Sequence, residues 1–245
     1  MAVLVTRPHP DDEITASALR ARGLKVLLAP MLRFEPVAFR DDGETRYDAV
    51  IVTSANALRG IETHLAGSRL LKLPLFAVGE HTASVARQMG FKSVIAADGD
   101  AARLRDGVLA GVKAKQMKKA STLLYLAGAD VSRDLAGELG ERGFSVVTQT
   151  TYRMAPVTSL PYEVCDAFAV NAIEAVLHYS RRSARAFLDA VRAAGVEISA
   201  LAIPQCCISA AVAAVVRDAG ATQVMVAASP DENALFEALD RALRP

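Results

Sequence analysis

Residues 47–60, YDAVIVTSANALRG, constrain the fold more than any other stretch of the chain. Ala49-Val50-Ile51-Val52 is a short, β-branched apolar run, the signature of a strand buried on both faces. It closes in Thr53-Ser54-Ala55-Asn56, whose hydroxyl and amide side chains suit the N-cap of a following helix. The first-turn amides of such a helix need partners, and a bound anion can supply them. The pattern recurs at 174–184, EAVLHYSRRSA. Strands that alternate with helices in this way imply parallel sheets with right-handed crossovers.

In chain order, strand 2–6 ends in Thr6-Arg7-Pro8, and Asp11 or Asp12 is expected to cap a helix through Arg22 that Gly23 stops. Strand 25–29 follows. Phe34-Glu35-Pro36-Val37 reads as an extended connector, since Pro36 disfavours helix at Glu35. Strand 49–53, a helix to about 66, strand 73–78, a helix over 80–89, strand 92–96 and a helix over roughly 100–116 complete this half. The basic run 111–119 reads as a solvated helix end. The second half repeats the order. Gly23 and Gly143, Pro36 and Pro156, and strands 3–5 and 123–125 all lie 120 residues apart, and the spacing drifts to 130 between Gly90 and Gly220. A slow drift marks a duplicated unit with small loop insertions. Later strands are expected at 174–179, 199–203 and 222–226. The residues fit two architectures: two contiguous five-stranded domains, or an exchange in which each opening β-α-β completes the other copy's sheet. In both, connectors 33–37 and 153–157 are the natural hinge.

Composition narrows the function classes. Net charge is +1, Trp is absent and aromatics are 5%, which argues against a nucleic-acid surface. No apolar run reaches a membrane-spanning length, and the chain opens on a strand with no secretion signal, so a cytoplasmic protein is expected. Cys165, Cys206 and Cys207 form no CxxC pair, and the four histidines lack metal-ligand spacing, so no metal is expected.

Ligands of parallel α/β sheets bind beyond the carboxyl ends of the strands. The residues expected there are Thr6-Arg7-Pro8, Thr53-Ser54-Ala55-Asn56, Gly79-Glu80-His81-Thr82, Gly128-Ala129-Asp130, Ser180-Arg181-Arg182 and Ser209. Helix capping accounts for many of them. As a set they also present backbone amides and hydroxyls to an anion, and Arg7 follows directly on a strand end. No phosphate loop occurs. His178 reads as a core histidine, and Cys206-Cys207 has no paired His to make a nucleophile. Tyr152 ends the strand that enters the second connector, placed for hinge packing or as a donor.

At these turns the sequence resembles the uroporphyrinogen-III synthase family. The resemblance runs through Thr6-Arg7-Pro8, Gly23 with Pro30, DAVIVTSAN at 48–56, AVGEHTA at 77–83 with Gly90, Gly128, Leu139, Gly143, Tyr152-Arg153, residues 174–180, Ser209 and Gly220. It covers essentially the whole chain. It implies two doubly wound, flavodoxin-like α/β domains, 1–33 with 157–245 and 38–152, joined by extended connectors 34–37 and 153–156, with the first β-α-β exchanged into the C-terminal domain. It implies a monomeric, cofactor-free lyase that closes hydroxymethylbilane, a linear tetrapyrrole polycarboxylate, into uroporphyrinogen III with ring D inverted and water lost. The substrate would lie between the domains, with hand-over from hydroxymethylbilane synthase. Carried onto this chain, Tyr152 and Thr82 are the catalytic candidates. Thr6, Arg7, Pro8, Ser54, Ala55, Asn56, Gly79, His81, Gly128, Ser180, Arg181 and Ser209 are the substrate-binding candidates. The second copy departs from the first where Val212 aligns with Thr82 and Arg181-Arg182 with Ala55-Asn56. The competing readings are a non-catalytic two-domain binder of small anions and a nucleotide-dependent enzyme, the latter lacking its phosphate loop.

Overall fold

The computed structural model describes residues 1–41, 43–97, 101–113, 118, 120–131 and 133–244. The chain opens with β1 (Ala2–Val5), α1 (Asp11–Ala21) and β2 (Lys25–Leu28), followed by the connector strand β3 (Leu32–Pro36). Then come β4 (Ala49–Val52), α2 (Ala55–Arg59), α3 (Glu62–Leu65), a 3-10 turn (Arg69–Lys72), β5 (Pro74–Val78), α4 (Gly79–Gln88), β6 (Ser93–Ala97) and α5 (Ala101–Lys113). The second half runs β7 (Thr122–Gly128), α6 (Leu135–Gly140), β8 (Ser145–Pro156), α7 (Tyr162–Ala169), β9 (Ile173–His178), α8 (Arg181–Ala193), α9 (Glu197–Ala202), β10 (Gln205–Cys207), α10 (Ala210–Asp218), β11 (Val224–Val226) and α11 (Glu232–Ala242).

The chain forms two compact units, Met1–Arg33 with Ala155–Pro245, and Phe34–Met154. The first holds a parallel sheet ordered β11-β10-β9-β1-β2, so the opening β-α-β pairs with strands of the C-terminal half. The second holds the order β3-β8-β7-β4-β5-β6. Leaving aside β3, the two sheets share one layout, which is the structural form of the sequence repeat. The order reverses at β1/β9 in one unit and at β7/β4 in the other, the switch points beside which doubly wound folds open a ligand crevice. Val37 N–H donates to the Thr151 carbonyl and Val157 N–H to that of Met31, so the two connectors run antiparallel along a sheet edge. The edge tolerates Pro36, which lacks a ladder donor.

Alternate residues of each central strand bury on opposite faces. Val50, Val52, Leu75 and Leu124 join one cluster, and Ile51, Phe76 and Leu123 the other. In the first unit, Leu4 and Val176 pack with Phe168 and Phe187, while Val5 and Leu177 face Leu19, Leu235 and Leu239. Gly23, Gly90, Gly143 and Gly220 all take left-handed φ, between 82° and 101°, where a helix turns back into its sheet.

Three local expectations change. Asp11 and Asp12 lie inside the first turn of α1, whose N-cap is Pro10; their charge meets the helix dipole instead of capping it. The helix after β4 is broken into α2 and α3. A Cβ on Gly60 would lie 2.2 Å from the Thr151 carbonyl oxygen, so this close approach to β8 requires glycine. Residues 197–202 are helical, and the strand expected at 199–203 is β10 at 205–207. A short apolar run before a proline, Leu201-Ala202-Ile203-Pro204, carries too little periodicity to separate the two. Of the basic run 111–119 and the helix end expected near 116, only residues 111–113 and 118 are described, with α5 running to Lys113.

Candidate active site

Tyr152 is positioned by three devices. The β7–β8 register slips between Ala127 and Gly128, so Gly128 pairs with Tyr152 where regular pairing would give Thr151. A bulge of this kind re-aims a side chain. Gly128 then forms the floor: a Cβ there would lie 2.7 Å from Cζ of Tyr152 and 2.9 Å from its hydroxyl oxygen. Phe34 stacks on the ring, with centroids 5.7 Å apart and planes 20° apart. Beside it, Arg153 pairs with Glu35 at 2.6 Å. The ring is half-buried and lines a crevice of about 90 Å³ with Thr53, Tyr125, Asp130 and Arg133. This crevice lies at the β7/β4 switch point. Thr53 Oγ1 is 3.3 Å from the Tyr125 hydroxyl.

The other candidates of this unit divide. Ser54 is the N-cap of α2 and accepts the Asn56 N–H at 3.3 Å; Ala55 is buried, and Asn56 accepts from Arg59 at 2.7 Å. Gly79 has φ +71°, which lets the chain turn from β5 directly into α4. His81 is exposed in the first turn of α4. Thr82 is 5% exposed, and its counterpart in the second copy, Val212, is 4% exposed. Both copies thus bury the side chain at this place.

In the first unit, Thr6 is fully buried and its hydroxyl donates to the Leu177 carbonyl at 2.7 Å, joining β1 to β9. Its hydroxyl proton is thereby engaged inside the sheet. Arg7 is also engaged. It donates to Asp11 at 3.0 Å and Glu232 at 3.2 Å, and lies over the Tyr179 ring, 4.8 Å from its centroid. Glu232 further accepts from Tyr179 at 3.0 Å. Burial is the main cause pushing the Tyr179 phenol well above its ordinary range, and the Glu232 carboxylate adds to it. Arg7 therefore clamps β1 to the start of α11 while its side chain stays 27% exposed. Pro8 follows, half-buried. Ser180 and Ser209 cap α8 and α10, accepting the N–H of Ser183 and Val212. Arg181 is exposed.

His178 is buried as expected. Its Nε2 lies 2.8 Å from Gln205 Oε1, whose amide nitrogen donates to the Ala200 and Ile203 carbonyls. That fixes the amide orientation, so Nε2 carries the proton, and Nδ1 is left buried without a partner among the described residues. Burial lowers the pKa of this imidazole to about 4. Burial likewise raises the Cys206 and Cys207 thiols to about 12, so neither is a nucleophile.

Tyr125, Phe34 and Arg133 escape sequence reasoning as site residues. Tyr125 stands out only as the sole aromatic of an aliphatic strand, and Phe34 only through its connector.

Two sheets that, β3 aside, are parallel and of matched layout, each reversing at a switch point beside helix-opening turns, define a doubly wound α/β protein, a class in which ligands bind beyond strand carboxyl ends. A family model, uroporphyrinogen-III synthase HemD, matches residues 13–237, and the chain belongs to that family. Similar solved structures include uroporphyrinogen-III synthetase from Helicobacter pylori 26695, 19% identical over 99% of both chains with TM-score 0.64. A mutant uroporphyrinogen III synthase from the extremely thermophilic bacterium Thermus thermophilus is 15% identical over 99% of both chains, with TM-score 0.55. At these identities the likeness is one of fold. No curated protein matches the chain significantly.

Proposed function

We infer that this protein is a uroporphyrinogen-III synthase, a lyase that closes hydroxymethylbilane into uroporphyrinogen III with loss of water and inversion of ring D. The observation that carries the reading is the family match over 13–237. The free bilane closes without inversion, so the enzyme's task is to orient the chain, and orientation alone is worth about 7–11 kcal/mol of barrier.

Tyr152 is the proton donor in this reading. The hydroxyl leaves with the C–O electron pair and takes the phenol proton, departing as water and leaving the N-protonated azafulvene cation opposite the Tyr152 phenolate, which recovers its proton from the ring carbon that loses one on closure. The substituted carbon of ring D attacks it, and the resulting spiro intermediate reopens and recloses with ring D inverted. Support comes from the bulge, the Gly128 floor and the Phe34 stack, which hold one aromatic hydroxyl beside a crevice. The substrate's carboxylates are held by the turns at 54–56, Gly79 with His81, and Gly128 in one unit, and by Arg181 with the turns at Ser180, Ser209 and Pro8 in the other. The working domains are 1–33 with 157–245 and 38–152, linked by connectors 34–37 and 153–156. We place the enzyme in the cytoplasm as a monomer that receives its bilane from hydroxymethylbilane synthase; no helix among the described residues is long and apolar enough to cross a membrane.

The test is to add freshly made hydroxymethylbilane and determine the uroporphyrinogen isomer. Type III is expected. Type I at the spontaneous rate would refute the reading.

A further inference from the structure

We propose that Tyr125, together with Thr53, grips one carboxylate arm of the bilane and is a specificity-determining residue of the crevice beside Tyr152. The inference rests on the synthase reading. β4 and β7 pair with Ile51 opposite Tyr125, so side-chain alternation puts Thr53, just past the end of β4, on the same face. The phenol reaches along that face toward the strand carboxyl ends, where its hydroxyl oxygen lies 3.3 Å from Thr53 Oγ1. Tyr125 is 3% exposed, yet it fronts two hollows. One is the crevice of about 90 Å³ shared with Tyr152 and Thr53, the other a space of about 320 Å³ shared with Leu135 and Thr148.

Packing does not call for this hydroxyl. Tyr125 is flanked by leucines in β7, and its ring joins a cluster with Ile51, Phe76 and Leu123. Phenylalanine would fill the same space with no polar atom to desolvate. The protein gives the hydroxyl little in return, since 3.3 Å is long for an O–H···O contact, whose usual range is about 2.5–3.0 Å. Among the described residues neither hydroxyl of the pair has a second partner. The pair holds two protons and its mutual contact uses one, so the other can be donated into the crevice that both residues line. The charged groups on that wall are engaged: Arg133 pairs with Glu138 at 2.5 Å, and Asp130 carries an interaction of its own.

Size and chemistry name the occupant. A crevice of about 90 Å³ is far smaller than the roughly 300 Å³ or more of a whole-ligand pocket, so it takes one arm of a large substrate. O–H donors select an arm that ends in an acceptor, and the arms of the bilane end in carboxylates. A carboxylate accepts at both oxygens, and an O–H···O⁻ bond is stronger than the hydroxyl contact it replaces. The two hydroxyls turn from each other and donate one to each oxygen, and no proton is transferred. Because Tyr152 lines the same crevice, an arm held here fixes which part of the chain lies against the donor.

Tyr125→Phe and Thr53→Val each remove one hydroxyl and keep the side-chain shape. Each is expected to raise KM roughly 10-fold, the loss of one hydrogen bond to a charged group, with kcat within about two-fold and type III product retained. The double variant should approach roughly 100-fold. Bilanes with one carboxylate arm at a time replaced by methyl identify the arm. One analogue should show the unmodified protein a KM raised about as much as the double variant shows the full substrate, and Tyr125→Phe should raise it little further. Circular dichroism melts within a few degrees of the unmodified protein are expected for both single variants. An unchanged KM in the double variant, with or without a lowered melt, would overturn the proposal by reducing the pair to a structural contact. An equal Tyr125→Phe penalty with every analogue, or no arm whose removal costs the unmodified protein about 10-fold, would overturn it too. Failure of the unmodified protein to form type III product would instead overturn the synthase reading.

Discussion

Replacing Gly128 by alanine adds a methyl carbon 2.7 Å from Cζ of Tyr152 and 2.9 Å from its hydroxyl oxygen. The glycine is not in the left-handed region, so the backbone accepts alanine and the cost falls on the ring. Carbon–carbon contacts relax to about 3.5–4.0 Å, so from 2.7 Å the ring retreats by about 0.8 Å or more. The retreat presses on the Phe34 stack, and overpacking of this kind costs about 1–3 kcal/mol. A displacement near 1 Å at a positioned group lowers turnover by about 10²-fold. We therefore expect Gly128→Ala to melt several degrees lower and to form type III product about 10²-fold more slowly. Adding Tyr152→Ala removes the clash. The double variant should be more stable than the sum of the single changes by at least about 0.5 kcal/mol, with activity no better than Tyr152→Ala alone. Denaturant melts and single-turnover assays measure both. Wild-type turnover in Gly128→Ala, or strict additivity in the cycle, would refute the idea that the glycine floor positions the tyrosine.

Tyr152→Phe should keep the fold and the type III product and slow turnover by roughly 10²–10⁴-fold; unchanged single-turnover rates would return the ring to packing alone. Thr82→Val, which copies Val212, should alter stability by no more than about 1 kcal/mol and leave turnover intact, so a large rate loss would restore the hydroxyl to catalysis. His178 gives a pH signature. Its folded pKa, about 4, lies below the ordinary 6.5, so as pH falls from 6.5 toward 4 the unfolded chain takes up a proton that the folded chain refuses. Stability is therefore full above 6.5 and falls below it, by up to about 3 kcal/mol. Urea melts should show a flatter decline over that window in His178→Gln, and parallel curves would argue against a buried neutral imidazole.

Much of the frame was legible because its causes are local. The run at 49–52 with its polar turn specifies a strand and a helix start from residue chemistry alone, and the glycines at 23, 90, 143 and 220 mark helix ends that need left-handed φ. Errors fell where local signals were weak. Residues 197–202 hold too short an apolar run to tell helix from strand, and the break at Gly60 answers to Thr151, 91 positions away.

The candidate site was less legible for the same reason. Tyr152 sits in the resemblance, yet what aims its ring is a one-residue slip between β7 and β8, and no pattern within either strand encodes it. Arg7 reads as a ligand arginine from its place after a strand, and only the fold shows Glu232, 225 residues away, beside it. Thr6 and Thr82 carry polar atoms whose direction depends on which face of a strand or helix is covered. The sequence by itself determined the strand–helix units, their duplication and the turns between them, since these follow from propensity and period over a few residues. The tertiary structure alone decided which hydroxyls are spent in the core, which ion pairs close and where the tyrosine points, because those depend on contacts between residues far apart in the chain.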